Sequence, residues 1–154
     1  MTQQPGDASP VLLVDDESTV LLSSRMILGS AGITNVQTIE DSREVMPLLA
    51  KQEVSAVILD LFMPYISGTQ LLPEIVREHP GIPVIVMTAS QEIETAVACM
   101  KEGAFDYLVK PVALDRLRRA LSRAAAVATG AGHRVSRPQG RDQPLRAPVQ
   151  LARL

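Results

Sequence analysis

The sequence has few of the residues that stabilise secreted proteins or cross membranes. It contains one cysteine and no tryptophan, and its aromatic residues are two phenylalanines and two tyrosines. A single cysteine excludes an internal disulfide and fits a reducing cytosol, so we expect a cytoplasmic protein. No apolar run approaches the roughly 20 residues of a membrane-spanning helix. The N-terminus lacks the basic and apolar segments of a secretory signal.

A strong charge of one sign is also missing, since the formal net charge is only −2. This value hides an asymmetry, because residues 1–128 carry −6 and residues 129–154 carry +4. An acidic body argues against direct nucleic-acid binding by these residues. Arginines scattered among Pro and Gly are typical of a solvated linker. We therefore expect a compact domain over 9–128, an N-terminal extension over 1–8 and a flexible basic tail or linker over 129–154.

The chain does have the length and the aliphatic residues for one core, with 154 residues of which 46% are apolar. Short apolar runs alternate with helical patterns five times. The predicted strands cover 10–14, 35–39, 56–59, 83–87 and 105–109, and the predicted helices cover 18–31, 42–52, 70–78, 93–101 and 113–128. This alternation predicts an α/β fold with a doubly wound, five-stranded parallel sheet. Pro47 lies inside the second predicted helix, which we expect to bend there.

Polar side chains follow four of the predicted strands at the point where each strand ends. Asp15 and Asp16 follow the first strand, Asp60 the third, Thr88 the fourth and Lys110 the fifth. Because parallel strands end at one edge, where ligands bind, we expect these side chains to converge. Three carboxylates brought close invite a hard cation such as Mg²⁺. A lysine and a hydroxyl beside them suit phosphoryl transfer to a carboxylate, which we expect to be ionised and accessible.

Each of these residues also has a structural explanation when it is taken alone. Asp15 or Asp16 can cap the first helix, and Thr88 fits a capping box. Lys110 can be a surface charge, and Asp60 can close an Asx turn. None of these explanations accounts for the presence of all these groups at one edge of a sheet. We therefore favour the joint functional interpretation.

Four segments together resemble the receiver domain of two-component response regulators. They are LLVDDE at 12–17, VILDLFMPYISG at 57–68, PVIVMTAS at 83–90 and GAFDYLVKPV at 103–112. They occur in the order and spacing of that family, and the similarity covers about residues 9–125. The resemblance implies a flavodoxin-like sheet with strand order 2-1-3-4-5. It also implies signalling by a phosphoryl group from a sensor histidine kinase or a phosphotransfer protein.

The resemblance assigns the chemistry of the site to matching residues. Asp60 is the implied phosphoacceptor. Asp16, Asp60 and the Phe62 carbonyl are the implied Mg²⁺ ligands, and Asp15 is implied to orient the metal through water. The N–H groups of Phe62 and Ala89 are implied to bind phosphoryl oxygens. No enzymatic activity is implied beyond self-phosphorylation and autodephosphorylation at Asp60.

The remaining implied roles concern the signal. Thr88 and Lys110 are implied to hold phosphoryl oxygens, and Tyr107 is the implied switch aromatic, which turns inward as Thr88 moves. The bond between Lys110 and Pro111 resembles one that the family holds cis. The surface of the fourth helix, fifth strand and fifth helix is implied to report phosphorylation and to serve as the interface of a possible homodimer.

The output of the signal is left open by the residues. The segment ETAVACMKEGAFDYLVKPV is most similar to receivers of transcription activators that carry an AAA+ ATPase and a helix-turn-helix. Neither a Walker A loop nor a recognition helix occurs in these residues, so both a part of such a protein and a single-domain regulator acting by protein contact stay possible.

Two functions of other classes are also consistent with an acidic edge. A Mg²⁺-dependent phosphohydrolase is disfavoured, because such enzymes of the haloacid dehalogenase type carry a second aspartate two residues after the nucleophile, and Phe62 stands there. A module that binds a metal without phosphorylation is the third hypothesis.

Overall fold

The computed structural model describes residues 9–134, in which five strands alternate with five helices. Two 3₁₀ turns, Ser42–Glu44 and Ser90–Glu92, lead into the second and fourth helices. The elements in chain order are β1 Val11–Val14, α1 Ser18–Ser30, β2 Val36–Ile39, α2 Val45–Lys51, β3 Ala56–Asp60, α3 Gly68–Glu78, β4 Val84–Thr88, α4 Ile93–Lys101, β5 Asp106–Val109 and α5 Leu114–Arg134.

All five strands form one parallel sheet in the order β2-β1-β3-β4-β5, which confirms the predicted topology. Both faces of the sheet are covered, and this explains why the central strands are apolar throughout rather than alternating. One core cluster includes Leu12 and Leu59 with residues of α2, α3 and α4. The other includes Leu13 and Ile58 with residues of α1 and α5.

The single cysteine lies inside the first of these clusters. Cys99 on α4 is 2% exposed and packs as a small buried hydrophobic residue. Burial, together with the negative charge of Glu102, raises the pKa of its thiol. Within the part of the chain that the structure covers, no helix is both long enough and apolar enough to cross a membrane.

The helix that was expected to bend at Pro47 is instead divided. A 3₁₀ turn over Ser42–Glu44 comes first, and α2 begins only at Val45. Pro47 therefore lies in the first turn of α2, where the missing N–H needs no helical partner. Pro47 is therefore associated with the division between the 3₁₀ turn and α2, and not with a bend inside one continuous helix.

The last helix ends at Arg134 rather than at the predicted Ala128. The added turns, residues 129–134, contain Gly130 and Gly132, which have low helix propensity, so the sequence pattern did not indicate this extension. One compact unit extends to Ala124 and a second begins at Ala125, of which the structure describes the helical backbone. The predicted extension over 1–8 and the rest of the predicted tail, 135–154, lie outside the described residues.

Candidate functional site

The strand that carries Asp60 continues one residue further than the sequence pattern predicts. Asp60 is the last residue of β3 and pairs with Met87 of β4. The next N–H, that of Leu61, donates to the Met87 carbonyl at 3.1 Å. Asp60 is only 5% exposed, and its carboxylate is surrounded by Asp15, Lys110 and the Phe62 N–H. The expectation of an accessible carboxylate is wrong in this respect.

Three carboxylates meet at this edge of the sheet. Asp15, Asp16 and Asp60 each offer an oxygen, and these atoms lie within 4.8 Å of one another. Asp15 is fully buried, whereas Asp16 is exposed. Neither Asp15 nor Asp16 caps α1, because the N-cap residue is Glu17 and its side chain makes no capping hydrogen bond. The capping explanation of this acidic pair is therefore wrong.

Lys110 reaches the acidic cluster from the end of β5. Its ammonium donates to Asp15 Oδ2 at 2.8 Å and lies 3.4 Å from Asp60 Oδ1. The Lys110 N–H donates to the Thr88 carbonyl at 2.8 Å, which ties the ends of β4 and β5 together. The peptide bond that follows, between Lys110 and Pro111, is cis, the isomer that the resemblance implies. A solvated surface lysine does not describe this geometry.

The acids outnumber the ammonium at the site, and the pKa of Asp60 reflects this. Burial, followed by the negative charge of Asp15, raises the pKa of Asp60 to about 6. Lys110 and a hydrogen bond from the Phe62 N–H oppose the rise without cancelling it. Burial alone would lower the pKa of Lys110, but its bond to Asp15 and the charge of Asp60 raise it. The site therefore holds an excess of negative charge.

This excess is what a divalent cation needs. Mg²⁺ prefers oxygen ligands from one or two carboxylates and keeps several waters, and the exposed Asp16 leaves one side of the cluster open to solvent. The residues present therefore fit Mg²⁺. Phe62 contributes through its backbone, because its N–H bonds the Asp60 carboxylate while half of the residue is exposed.

Thr88 is buried at the end of β4, but its hydroxyl bonds the segment before α4 and not the acidic cluster. It donates to the Glu92 carbonyl at 3.4 Å, in the 3₁₀ turn that precedes α4. Ala89, which begins this turn, is half-buried and has an extended backbone. The turn has no side-chain cap, so the capping-box explanation of Thr88 is wrong. Thr88 instead joins the edge of the sheet to the start of α4.

Tyr107 lies on β5, beside Val86 of β4. It is half-buried and packs against the core cluster under α2, α3 and α4. Its backbone is held on both sides, since its N–H donates to Asp106 Oδ1 at 2.8 Å and its carbonyl accepts from Arg116 at 2.7 Å.

Two residues beside the site were missed by the sequence analysis. Gly68 precedes the predicted third helix, 70–78, but begins α3, and a Cβ at this position would collide with the Asp60 carbonyl oxygen. Ser42 is 1% exposed and bonds the loop after β3. The glycine carried a signal, since a residue without Cβ permits close backbone approach. Ser42 carried none, because its partners are more than 20 residues away.

A third buried carboxylate, which the sequence analysis also missed, lies at the beginning of β5. Asp106 is 6% exposed and accepts two hydrogen bonds from Arg116, at 2.8 and 3.0 Å. It also accepts from Arg123 at 2.8 Å and from the Tyr107 N–H. Burial by itself raises the pKa of Asp106, but these hydrogen bonds and the two arginine charges outweigh it and hold the pKa below its usual value.

The sequence is similar to one protein family and to several characterised regulators. A family described as "Response regulator receiver domain" matches residues 11–122. The chain is 38% identical over 114 residues to the DNA-binding transcriptional regulator NtrC of Salmonella typhimurium, a match that covers 74% of this chain and 24% of that protein. It is 40% identical over 111 residues to the transcriptional regulatory protein GlrR of Escherichia coli, covering 72% and 25%. The chain thus spans about a quarter of the length of these relatives.

Solved structures give the same result for the fold. The crystal structure of a response regulator receiver domain protein from Clostridium thermocellum superposes with a TM-score of 0.73 at 34% identity. The match covers 79% of this chain and 97% of that one. The five-stranded architecture and the edge that carries Asp60 therefore belong to a known structural type.

Proposed function

The chain belongs to the response regulator receiver domain family, and from this premise we propose that Asp60 is the residue that accepts the phosphoryl group. The domain is a signalling unit of two-component systems rather than a conventional enzyme. The observation that carries the proposal is the meeting of three carboxylate oxygens within 4.8 Å of one another beside the Lys110 ammonium. No other part of the described chain contains a comparable acidic cluster.

We propose that Asp60 attacks the phosphorus of a kinase phosphohistidine. A P–O bond forms at a carboxylate oxygen of Asp60 as the P–N bond breaks, and the bonding electron pair leaves with the imidazole. Lys110 lies 3.4 Å from Asp60 Oδ1, which suits it to hold a phosphoryl oxygen. The N–H groups of Phe62 and Ala89 are proposed as further donors. Loss of the phosphoryl group to water at Asp60 returns the domain to its starting state.

Mg²⁺ is proposed as the cofactor, with Asp16, Asp60 and the Phe62 carbonyl as ligands and Asp15 orienting it through water. When bound, it neutralises charge on the phosphoryl oxygens and on the acidic cluster. Asp15 keeps its own hydrogen bonds, one from Lys110 at 2.8 Å and one from the Glu17 N–H at 2.9 Å. These bonds orient the acid before any ligand arrives.

We propose that phosphorylation is signalled through Thr88 and Tyr107. A new bond from the Thr88 hydroxyl to a phosphoryl oxygen requires loss of its present bond to the Glu92 carbonyl. That loss frees the 3₁₀ turn before α4, and Tyr107 then turns inward. The surface formed by α4, β5 and α5 reports the change, and the same surface is the proposed interface of a homodimer.

Receiver domains interact with histidine kinases, and the kinase or a phosphotransfer protein is the proposed phosphodonor in the cytoplasm. The similarity to NtrC and GlrR supports transcriptional regulation through an output domain as the proposed role of the signal. The acidic body supports the proposal that residues 9–128 act as the receiver without binding nucleic acid themselves. Residues 1–8 are proposed as an N-terminal extension, and 129–154, of which 129–134 belong to α5, as a basic tail or linker.

Phosphorylation by a small donor tests the assignment of Asp60. The chain is incubated with Mg²⁺ and acetyl phosphate, and its intact mass is measured. We expect one phosphoryl adduct on the wild type and on Asp115→Asn, which alters an exposed aspartate elsewhere. We expect none on Asp60→Asn and none on the wild type when EDTA removes the metal.

Three results would overturn the proposed function or its assignment to Asp60. An adduct that persists undiminished in Asp60→Asn would move the phosphoacceptor to another residue. Sustained release of phosphate from a phosphate ester would instead indicate a phosphohydrolase, against which Phe62 argues because its side chain has no proton to donate. Magnesium binding without any adduct on the wild type would indicate a metal-binding module.

A further inference from the structure

The loop between β3 and α3, residues 61–67, carries the Phe62 backbone that the site uses. Phe62 is 50% exposed, so its own side chain does not anchor this backbone in the core. The first and last parts of the loop are fixed, since the Leu61 N–H donates to Met87 and the Gly68 N–H donates to the Leu61 carbonyl at 3.0 Å. The position of the Phe62 N–H and carbonyl therefore depends on what holds the middle of the loop.

Ser42 holds the middle of this loop from the start of the 3₁₀ turn before α2. Its hydroxyl donates to the Pro64 carbonyl at 2.9 Å and accepts from the Ile66 N–H at 3.0 Å. The side chain is 1% exposed, so water does not compete for these bonds. The single hydroxyl thus bonds the backbone on both sides of Tyr65, two and four residues after Phe62.

Tyr65 shows why the loop needs an external hold. Its φ is 70°, in the left-handed region that non-glycine residues rarely adopt. The Arg43 guanidinium lies 3.7 Å from the centre of the Tyr65 ring and is itself held by both oxygens of Asp41, at 3.0 and 2.8 Å. Consecutive residues, Ser42 and Arg43, therefore fix the backbone and the side chain of the same turn.

We propose that Ser42 is a positioning residue for the phosphoryl site, which holds the loop so that the Phe62 N–H and carbonyl face the Asp60 carboxylate and its metal. The inference rests on the proposed function, because it assigns a support to the backbone that this function uses. It adds a residue that lies in neither the acidic cluster nor the phosphoryl-binding set. Groups that orient metal ligands contribute to metal affinity without touching the metal.

The test compares Ser42→Ala with two serine controls in the full chain. Ser24→Ala removes another buried hydroxyl, on α1, and Ser55→Ala removes a hydroxyl that donates to the Pro10 carbonyl at 3.2 Å. The Mg²⁺ dissociation constant is measured by calorimetry, the rate of phosphorylation by intact mass and the stability by urea unfolding. We expect Ser42→Ala to weaken Mg²⁺ binding about tenfold and to slow phosphorylation at limiting Mg²⁺.

Ser42→Cys keeps a side chain of similar size but replaces the hydroxyl with a thiol, which is a weaker hydrogen-bond donor. We expect this variant to have an intermediate Mg²⁺ affinity. It also carries the comparison if Ser42→Ala does not fold. Equal Mg²⁺ affinity and equal phosphorylation rate in the Ser42 variants and the serine controls, at any loss of stability, would overturn the inference. A wild type that acquires no phosphoryl group would instead overturn the proposed function, so the two failures are distinguishable.

Discussion

Three carboxylates are buried in the described part of the chain, and two of them, Asp60 at the end of β3 and Asp106 at the start of β5, make an instructive pair. Their exposed fractions are almost the same, 5% and 6%. Their pKa values nevertheless depart from the ordinary value in opposite directions, because the pKa of Asp60 is raised to about 6 and that of Asp106 is lowered. Burial alone therefore does not decide the charge state of an acid in this fold.

The difference lies in the partners that each carboxylate meets. Asp106 meets two guanidinium groups and one backbone N–H. Asp60 meets the Phe62 N–H and one ammonium group, which it shares with the acid Asp15. The charge of Asp106 is thus balanced by the protein, whereas the charges of Asp60 and Asp15 together exceed that of the one ammonium group beside them. The balance of charge around each carboxylate, rather than its depth, therefore distinguishes the structural acid Asp106 from the proposed phosphoacceptor Asp60.

The largest effect that tests the comparison is expected at Asp106. Asp106→Asn removes the negative charge that pairs both guanidinium groups, and we expect a loss of about 2–3 kcal/mol in the free energy of unfolding. Part of the cost is recovered, because both arginine side chains reach water. Urea unfolding measures this loss of stability. The control variant, Asp115→Asn, is expected to change the free energy of unfolding little. Equal stability of the two variants would contradict the assigned pairing.

The opposite sign is expected at Asp60. Asp60→Asn removes a carboxylate whose ionised form is disfavoured by burial and by Asp15, so we expect the variant to gain about 2 kcal/mol of stability at pH 7.5 without Mg²⁺. Saturating Mg²⁺ should stabilise the wild type more than the variant. Urea unfolding with and without the metal measures both quantities. A variant less stable than the wild type in EDTA would contradict the claim that burial and Asp15 make the ionised Asp60 destabilising.

The pH dependence of stability separates the two acids further. Because the pKa of Asp60 rises on folding, its contribution is fully present below about pH 4 and lost as the pH rises through about 6. Because the pKa of Asp106 falls, its contribution is present above about pH 4 and lost as the pH falls through the folded value.

Unfolding measured from pH 3 to 8 therefore distinguishes the variants. Asp60→Asn is expected to remove a decline of about 1–2 kcal/mol between pH 4 and 7. Asp106→Asn is expected to remove a loss below pH 4. Identical profiles for the two variants would show that neither group is responsible.

The smallest effect is expected within the Asp106 cluster itself. Arg116 bonds both oxygens of Asp106 and the Tyr107 carbonyl, whereas Arg123 makes one bond and has a side chain that is 61% exposed. Arg123→Gln is therefore expected to cost less than about 1 kcal/mol, as for an exposed ion pair. Arg116→Gln is expected to cost more. The reverse order in urea unfolding would mean that exposure does not rank these pairs.

The fold was predictable from the sequence because parallel strands and their crossovers leave few arrangements. The wholly apolar runs at β1 and β3 required a sheet that is covered on both faces, and this requirement brought Asp15, Asp60 and Lys110 to one edge. The burial of Asp60 was not predictable, because the groups beside its carboxylate, among them Asp15 and Lys110, come from other strands of the sheet.

Contacts between distant segments were the other part that the pattern did not contain. Ser42 bonds Pro64 and Ile66 across a gap of more than 20 residues, and no local rule indicates such a partner. The sequence did indicate that Arg116 and Arg123 lie on the same face of a helix, because they are seven residues apart. Their acid, however, was identified only by the packing of α5 against the start of β5.

Gly68 shows how a residue without functional atoms can behave like a member of the site in a mutational scan. Any larger residue directs its Cβ at the Asp60 carbonyl oxygen and lies within 2.8 Å of the Leu61 Cα. Gly29, on α1, has no such neighbour within 4 Å. A library that substitutes both glycines should therefore tolerate many side chains at one position and hardly any at the other. Intolerance at Gly68 would report the backbone geometry of Asp60, the proposed phosphoacceptor, although the glycine has no side chain to take part in the proposed chemistry.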